Sequence, residues 1–249
     1  MSEIEPSSTN DLAILIRGGS GEGKSASLRN LRNQPDWMIL NAEAGKRLPF
    51  KHKLQVFNIQ DPYEVYAAID SIAEDPSQWA GLGIDTASFL MELFESRYIA
   101  GAANGQKAWG EYAQYFKNLM HHYVGSLPVP VLMFTHAKEF VNEATGDRTI
   151  QAAVKGSLAA LGMEAYFTTV LSARKVSIKD LRAQDFDPVM LDITEEEELE
   201  GYKYVFQTRP TKKTIGERIR APIGLFTREQ LYIDNDAQKL LDHVQAYYA

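Results

Sequence analysis

Short apolar-rich runs recur along the chain, separated by segments with helical spacing. Leu12–Ile16, Trp37–Leu40, Leu54–Ile59, Leu82–Ile84 and Val129–Phe134 have the density expected of strands buried on both faces of a parallel sheet. Phe167–Leu171 and Tyr204–Phe206 read as later strands, with antiparallel pairing open to both. Helical patterns fill the intervals: Ser25–Asn33, then a helix opened by Asp61 as N-cap with Pro62 behind it and Val65, Ile69 and Ile72 along one face. Ser88–Tyr98, Trp109–Val124 and Asp236–Tyr248 complete the helices. Such alternation predicts βαβ crossovers and a three-layer α/β fold with a mostly parallel central sheet. The polar stretch 1–11, with Pro6 and a Ser-Ser-Thr-Asn run, reads as a disordered N-terminal tail, leaving 12–249 as a single domain.

With 249 residues, 45% of them hydrophobic, the chain can bury a sizeable core, which excludes disorder and fibrous classes. It has no cysteine, so thiolate metal sites, cysteine nucleophiles and a disulfide framework are all excluded, and a reducing cytoplasm is the expected location. No leader pattern opens the chain, and no stretch approaches the roughly 18 apolar residues of a membrane span, so no membrane partner is expected. The net charge of -7 gives no global attraction to nucleic acid, so any polyanion site must be local. Charge is unevenly placed: Asp185–Glu200 holds eight acids and no base, whereas Lys203–Arg220 holds six bases and one acid.

Directly after the first apolar run, Gly18-Gly19-Ser20-Gly21-Glu22-Gly23-Lys24-Ser25 satisfies Gly-x-x-x-x-Gly-Lys-Ser/Thr, in the required position between a strand and a helix. Glycines let successive backbone N–H groups turn inward around phosphates. The following helix, from Ser25 and Ala26 onward, adds its N-terminal dipole, Lys24 reaches the β- and γ-phosphates, and the Ser25 hydroxyl holds Mg²⁺. The pattern therefore predicts binding of a nucleoside triphosphate, taken as ATP, with Mg²⁺.

A second metal-organising acid is expected at the end of a buried strand, and Asp85 occupies such a place. Thr86 follows it where packaging motors and many helicases have a catalytic Glu, so the base must come from elsewhere. Glu43, just beyond the Trp37–Asn41 run, is the candidate: a buried strand delivers it to the carboxyl edge, where α/β sites form. An Asn-Lys-x-Asp guanine-reading motif is absent.

This order of strand, phosphate loop, Glu43, Asp85 and the strand-ending pair Thr135-His136 resembles the RecA-superfamily ATPase core. The phrases GGSGEGKS, MILNAEAG, GIDTASFL, AWGEYAQYF, VPVLMFTHAKE and YIDNDAQKLLDHV make it similar, more narrowly, to the phage Sak-four group of single-strand annealing recombination proteins. The resemblance implies a RecA-like P-loop core in which Glu43 polarises water, Asp85 organises Mg²⁺ and His136 senses the γ-phosphate. A structural hydrogen-bonding role for His136 stays open. It further implies ATP hydrolysis, assembly into a ring or filament, single-stranded DNA as partner, a single-strand-binding protein as a further one, and a phage protein's place in the host cytoplasm. A hexameric helicase-like motor and a nucleotide-controlled assembly switch without DNA contact are the alternatives.

The polar stretch Ala137–Lys155, with Lys138 and Arg148, corresponds in that family to a mobile DNA-binding loop. Gly101–Trp109, with Lys107, corresponds to the second. In the basic segment, Arg209, Lys212 and Lys213 either follow DNA phosphates or reach the nucleotide of an adjacent subunit; a solvated hairpin tip is the plain alternative.

Overall fold

In the computed structural model, which describes residues 9–141 and 148–249, the early apolar runs become strands β1 (Ala13–Gly18), β2 (Trp37–Asn41), β3 (Gln55–Asn58), β4 (Gly81–Asp85) and β5 (Val131–Val141). Four more follow: β6 (Arg148–Ala152), β7 (Thr169–Ser177), β8 (Tyr202–Gln207) and β9 (Tyr232–Asp234). The main sheet has the order β3-β2-β4-β5-β1-β7-β8-β9, and β6 pairs with β5 outside that path. Every pairing from β3 through β7 is parallel, whereas β8 and β9 add antiparallel edges. Antiparallel pairing thus begins at β7, which lies parallel to β1 over Thr169–Ser172 on one edge and pairs antiparallel with β8 over Ser172–Ser177 on the other.

The sheet is buried on both faces. Leu15, Leu82, Ile84 and Met133 pack on one side against α1 (Glu64–Glu74), α2 (Ala87–Phe94) and α3 (Gly105–Asn118). Ile14, Ile16, Ile39 and Phe134 pack on the other against Leu28 and Leu31 and the C-terminal helix (Ala237–Tyr248). This arrangement is compatible with a three-layer α/β fold. The predicted face of α1 is borne out, with Val65, Ile69 and Ile72 buried, each adding roughly 1.5–3 kcal/mol on the scale of fully buried aliphatics. Asp61 leads into the helix through a turn, its Oδ1 accepting the Tyr63 N–H at 2.9 Å. Gly81 is required by close approach: a Cβ there would lie 2.4 Å from the indole of Trp37, which is buried across the β2–β4 pair.

Three expectations are corrected. The segment after the phosphate loop is not a nine-residue helix; it is a 3₁₀ helix, Ser25–Asn30, that stops where Leu31 turns extended and Asn33 takes a positive φ ahead of Gln34-Pro35. The stretch 137–155 is not a loop on its described residues, because β5 continues to Val141 and pairs with β6 as an antiparallel hairpin; 142–147 lie outside the described residues. The candidate loop Gly101–Trp109 shrinks as well, because the Asn104 side chain accepts the Lys107 N–H at 3.0 Å and starts α3 four residues before Trp109. The predicted tail falls mainly on 1–8, outside the described residues, but Asn10 is fixed by side-chain bonds to the Val124 and Val129 carbonyls. Among the described residues no helix is long and apolar enough to cross a membrane.

The remaining short helices are α4 (Gly156–Leu161), α5 (Ile178–Arg182) and α6 (Glu195–Glu200), and the C-terminal helix is α7. The acidic run ends in α6, which carries a complete capping box between Thr194 and Glu197. Asp236 caps α7 by accepting the Gln238 and Lys239 N–H groups, as the Asp-Asn-Asp pattern predicted.

Candidate nucleotide site

The loop Gly18–Ser25 leaves β1 at the carboxyl edge of the sheet with Gly21 and Gly23 both at positive φ, a conformation that strains other residues. A Cβ on Gly23 would also press on Tyr204 and Asn235, at 3.1 and 3.2 Å. The Lys24 ammonium lies within the loop and donates to the carbonyls of Gly18 at 3.0 Å and Gly19 at 2.8 Å. Glu22 folds back so that its Oε2 accepts the Gly19 N–H at 2.6 Å. Its side chain therefore serves the shape of the loop rather than reaching outward.

The loop faces a cavity of about 300 Å³. Ser20, Gly21, Gly23, Lys24, Ser25 and Ala26 form its floor, and β2, β4 and β5 supply Glu43, Asp85 and His136. Gly18, Gly19 and Glu22 stand behind this lining. Four neighbouring parallel strands thus converge their carboxyl ends on one space, the usual place for a ligand in such sheets.

Ser25 Oγ donates to Asp85 Oδ2 at 2.6 Å. Asp85 Oδ1 is buried and has no hydrogen-bond partner. Burial pushes this carboxyl up to about 6, opposed by the Ser25 hydrogen bond and reinforced by the nearby negative charge of Glu43. A hydroxyl beside an under-satisfied carboxylate suits a hard, hydrated divalent cation that takes its remaining ligands from phosphates and water. Among the described residues no cluster of three His or acidic side chains forms an all-protein metal cage.

Glu43 is held by its neighbours. Asn41 Oδ1 accepts the Glu43 N–H at 2.8 Å, and the Asn41 amide donates to the Lys46 carbonyl and to Asn58, fixing the turn that follows β2. The Glu43 carboxylate accepts from Lys46 Nζ at 3.0 Å and lies 3.3 Å from His136 Nε2. Burial alone would raise its pKa, but the bonds to Lys46 and His136 bring it below the usual glutamate range. His136 is pushed down by burial and by the Lys24 charge, against the pull of Glu43. Its Nδ1 sits 3.4 Å from Lys24 Nζ. An uncharged ring that accepts at Nδ1 and donates from Nε2 satisfies both neighbours. The Ser88 hydroxyl accepts the His136 N–H at 3.1 Å, and the Phe89 ring meets the imidazole edge-on. Lys24 itself is lowered by burial, with Asp85 and Glu43 opposing.

The structure brings Lys24, Ser25, Glu43, Asp85 and His136 together as the sequence predicted. It adds four residues that sequence reasoning missed: Asn41, Lys46, Ser88 and Tyr204. Asn41 had a legible signal, since a polar residue closing an apolar strand faces the carboxyl edge. Tyr204 had none, because its approach to Gly23 depends on two strands far apart in sequence.

The basic segment is placed elsewhere. Arg209, Lys212 and Lys213 are absent from the lining of this cavity, and Arg209 turns toward the Phe226 carbonyl at 3.4 Å. Three of the six bases are engaged within the fold: Lys203 pairs with Glu197 and Asp234, Arg218 with Glu164, and Arg220 donates to the Glu164 carbonyl. Arg218 and Arg220 join a cluster centred on Arg17, which is fully buried on β1 immediately before the glycine loop. Arg17 reaches Glu164 at 3.4 Å and Glu217 at 3.3 Å and donates to the Ile150 carbonyl. The second Glu217 oxygen accepts from Arg174.

Neither a protein-family model nor a curated protein matches this chain.

Proposed function

We propose that the protein is a Mg²⁺-dependent ATPase with a RecA-like core, acting as an oligomer on single-stranded DNA to anneal or pair strands in phage recombination. The observation that carries the catalytic part is the convergence of Lys24, Ser25–Asp85, Glu43 and His136 from four strand ends onto one cavity against a glycine loop. The DNA and assembly parts rest on the sequence resemblance.

Under this reading the loop N–H groups cradle the phosphates and Lys24 exchanges its bonds with the Gly18 and Gly19 carbonyls for phosphate oxygens. Ser25 and Asp85 would hold Mg²⁺, whose charge would offset that developing on the transferred phosphoryl group. Glu43, kept ionised by Lys46 and His136, orients the attacking water and takes its proton. His136 links Glu43 to Lys24, so a change at the phosphates is felt at β5 and at the hairpin that continues from it.

The test is phosphate release from ATP by wild type and Glu43→Gln, with and without Mg²⁺ and single-stranded DNA. Retained binding of a fluorescent ATP analogue with a loss of turnover of roughly 10²–10⁴-fold is expected. Normal hydrolysis by Glu43→Gln would sink the catalytic assignment. Turnover and assembly indifferent to DNA would sink the recombination role.

A further inference from the structure

Phosphoryl transfer from ATP to water develops negative charge on the γ-phosphate oxygens, and the cation that meets it comes from the same chain in some NTPases and from a neighbour in others. The basic segment considered for that task, with Arg209, Lys212 and Lys213, stands away from the nucleotide cavity. The cavity has cations of its own. Besides Lys24, its lining contains Lys46 and Arg47, both exposed and both on the turn that follows β2.

That turn is strained and pinned. Ala44 and Gly45 take positive φ in succession, 50° and 76°, a left-handed conformation that glycine adopts freely and alanine does not. The buried Asn41 side chain closes the turn from both ends, accepting the Glu43 N–H at 2.8 Å and donating to the Lys46 carbonyl at 2.9 Å. The Lys46 N–H donates back to the Glu43 carbonyl at 3.0 Å. So wound, the chain sets the Lys46 ammonium 3.0 Å from Glu43 Oε2, while Glu43 Oε1 faces His136 Nε2 at 3.3 Å. Backbone strain that its surroundings enforce is concentrated at functional positions. An ammonium has three donors, and the bond to Glu43 occupies one of those on Lys46. The Lys46 side chain is 69% exposed above a Glu43 carboxylate that is 9% exposed, so its other donors face the open part of the cavity.

We infer that Lys46 is a catalytic residue, a cation supplied in cis to the γ-phosphate beside Glu43, with Arg47 of the same turn adding to the field, so that one protomer carries a complete hydrolytic site. The inference rests on the proposed ATPase activity. In the step it serves, the water oxygen bonds to the γ-phosphorus while Glu43 takes one water proton and the other stays on the phosphate. The bond from the γ-phosphorus to the bridging oxygen breaks, and its electron pair leaves with ADP. Lys46 offsets the negative charge on the γ-oxygens nearest Glu43.

Phosphate release from ATP without DNA tests it, measured from dilutions at which the full chain sediments as a single protomer up to those at which it assembles. The rate per subunit is expected to stay constant. Lys46→Met is expected to lose roughly 10²-fold or more in kcat with little change in affinity for a fluorescent ATP analogue, and Lys46→Arg to keep part of the rate. Lys212→Ala/Lys213→Ala is expected to match wild type. A second measurement separates contact with the phosphoryl group from an effect passed through Glu43. In the Glu43→Gln background, Lys46→Met is expected to weaken binding of fluorescent ADP with aluminium fluoride, which occupies the γ-phosphoryl position, by about tenfold, and binding of ADP alone hardly at all. A rate per subunit that rises from nil as the chain assembles would overturn the assignment. So would Lys46→Met turnover at or above wild type, or loss of the aluminium fluoride effect in the Glu43→Gln background. Wild-type protein that hydrolyses no ATP at any concentration would overturn the ATPase reading along with it.

Discussion

Two buried charged clusters flank β1, and they are built on opposite terms. On the side of β5, β4 and β2, Asp85 is 5% exposed, has one oxygen without any partner, and is pushed up to about 6. On the other side Glu164 and Glu217, 2% and 7% exposed, each lie against two arginines: Glu164 between Arg17 and Arg218, Glu217 between Arg17 and Arg174. Glu164 also accepts the Ala152 N–H at 2.6 Å. Burial is equal, so burial does not mark the site. What differs is the charge around them: Asp85 and Glu164 each keep one oxygen without a hydrogen bond, but Glu164 and Glu217 each lie against two arginines and so belong to the framework, whereas Asp85 faces a hydroxyl and is open to a ligand the chain does not supply.

The comparison predicts that removing a carboxylate from the two clusters has opposite effects on stability. Glu217→Ala strands Arg17 and Arg174 and is expected to cost about 3–5 kcal/mol, read as a drop in the denaturation midpoint. A loss below 1 kcal/mol would show that the arginine cluster is not a framework. Asp85→Asn is expected to stabilise by about 3 kcal/mol at pH 7.5 while ending Mg²⁺-dependent hydrolysis. The sign follows from linkage. The folded chain keeps the Asp85 proton up to about pH 6 and the unfolded chain releases it near the ordinary aspartate value of 3.8, so stability falls as pH rises through that window. The advantage of Asp85→Asn should therefore vanish below about pH 4, and melting curves at pH 4 and pH 7.5 check it.

Smaller effects sharpen the same contrast. His136→Phe keeps an aromatic ring against Phe89 but deletes the bonds to Lys24 and Glu43, and turnover should fall about tenfold, as for one hydrogen bond to a charged group. Unchanged turnover would leave His136 a purely structural residue. Asp236→Ala removes the cap of α7 together with the Asn30 bond that ties this helix to the 3₁₀ turn behind the loop, costing about 1–2 kcal/mol by denaturant titration.

The candidate cluster was largely legible because its members follow closely on apolar runs: the glycine loop after β1, Glu43 two residues beyond β2, Asp85 at the end of β4 and His136 just past Val129–Phe134. The arginine cluster was not. Arg17 follows an apolar run and reads as an edge residue, yet its partners Glu164 and Glu217 lie some 150 and 200 positions away, in segments with no periodic signal. The basic segment was misread for a related reason. Counting its charges treated Lys203, Arg218 and Arg220 as available, whereas tertiary contacts engage all three and leave Lys212 and Lys213 exposed without a carboxylate partner among the described residues. The overlong helix after the loop erred through propensity: Arg29, Asn30 and Arg32 bond to 235–238 and 242 at the head of α7, and this tertiary pull outweighs continuation past Asn30.

The place of β1 between β5 and β7 has a consequence for how the protein is made. β1 precedes in synthesis both strands that flank it, which begin at Val131 and Thr169. At the usual speed of synthesis the run Ala13–Ile16 waits roughly 10–30 s before both of its hydrogen-bonding edges can be covered. Pairings between such distant segments also slow the search itself. The nascent chain is therefore most open to aggregation through β1 until the segment from Thr169 onward has emerged.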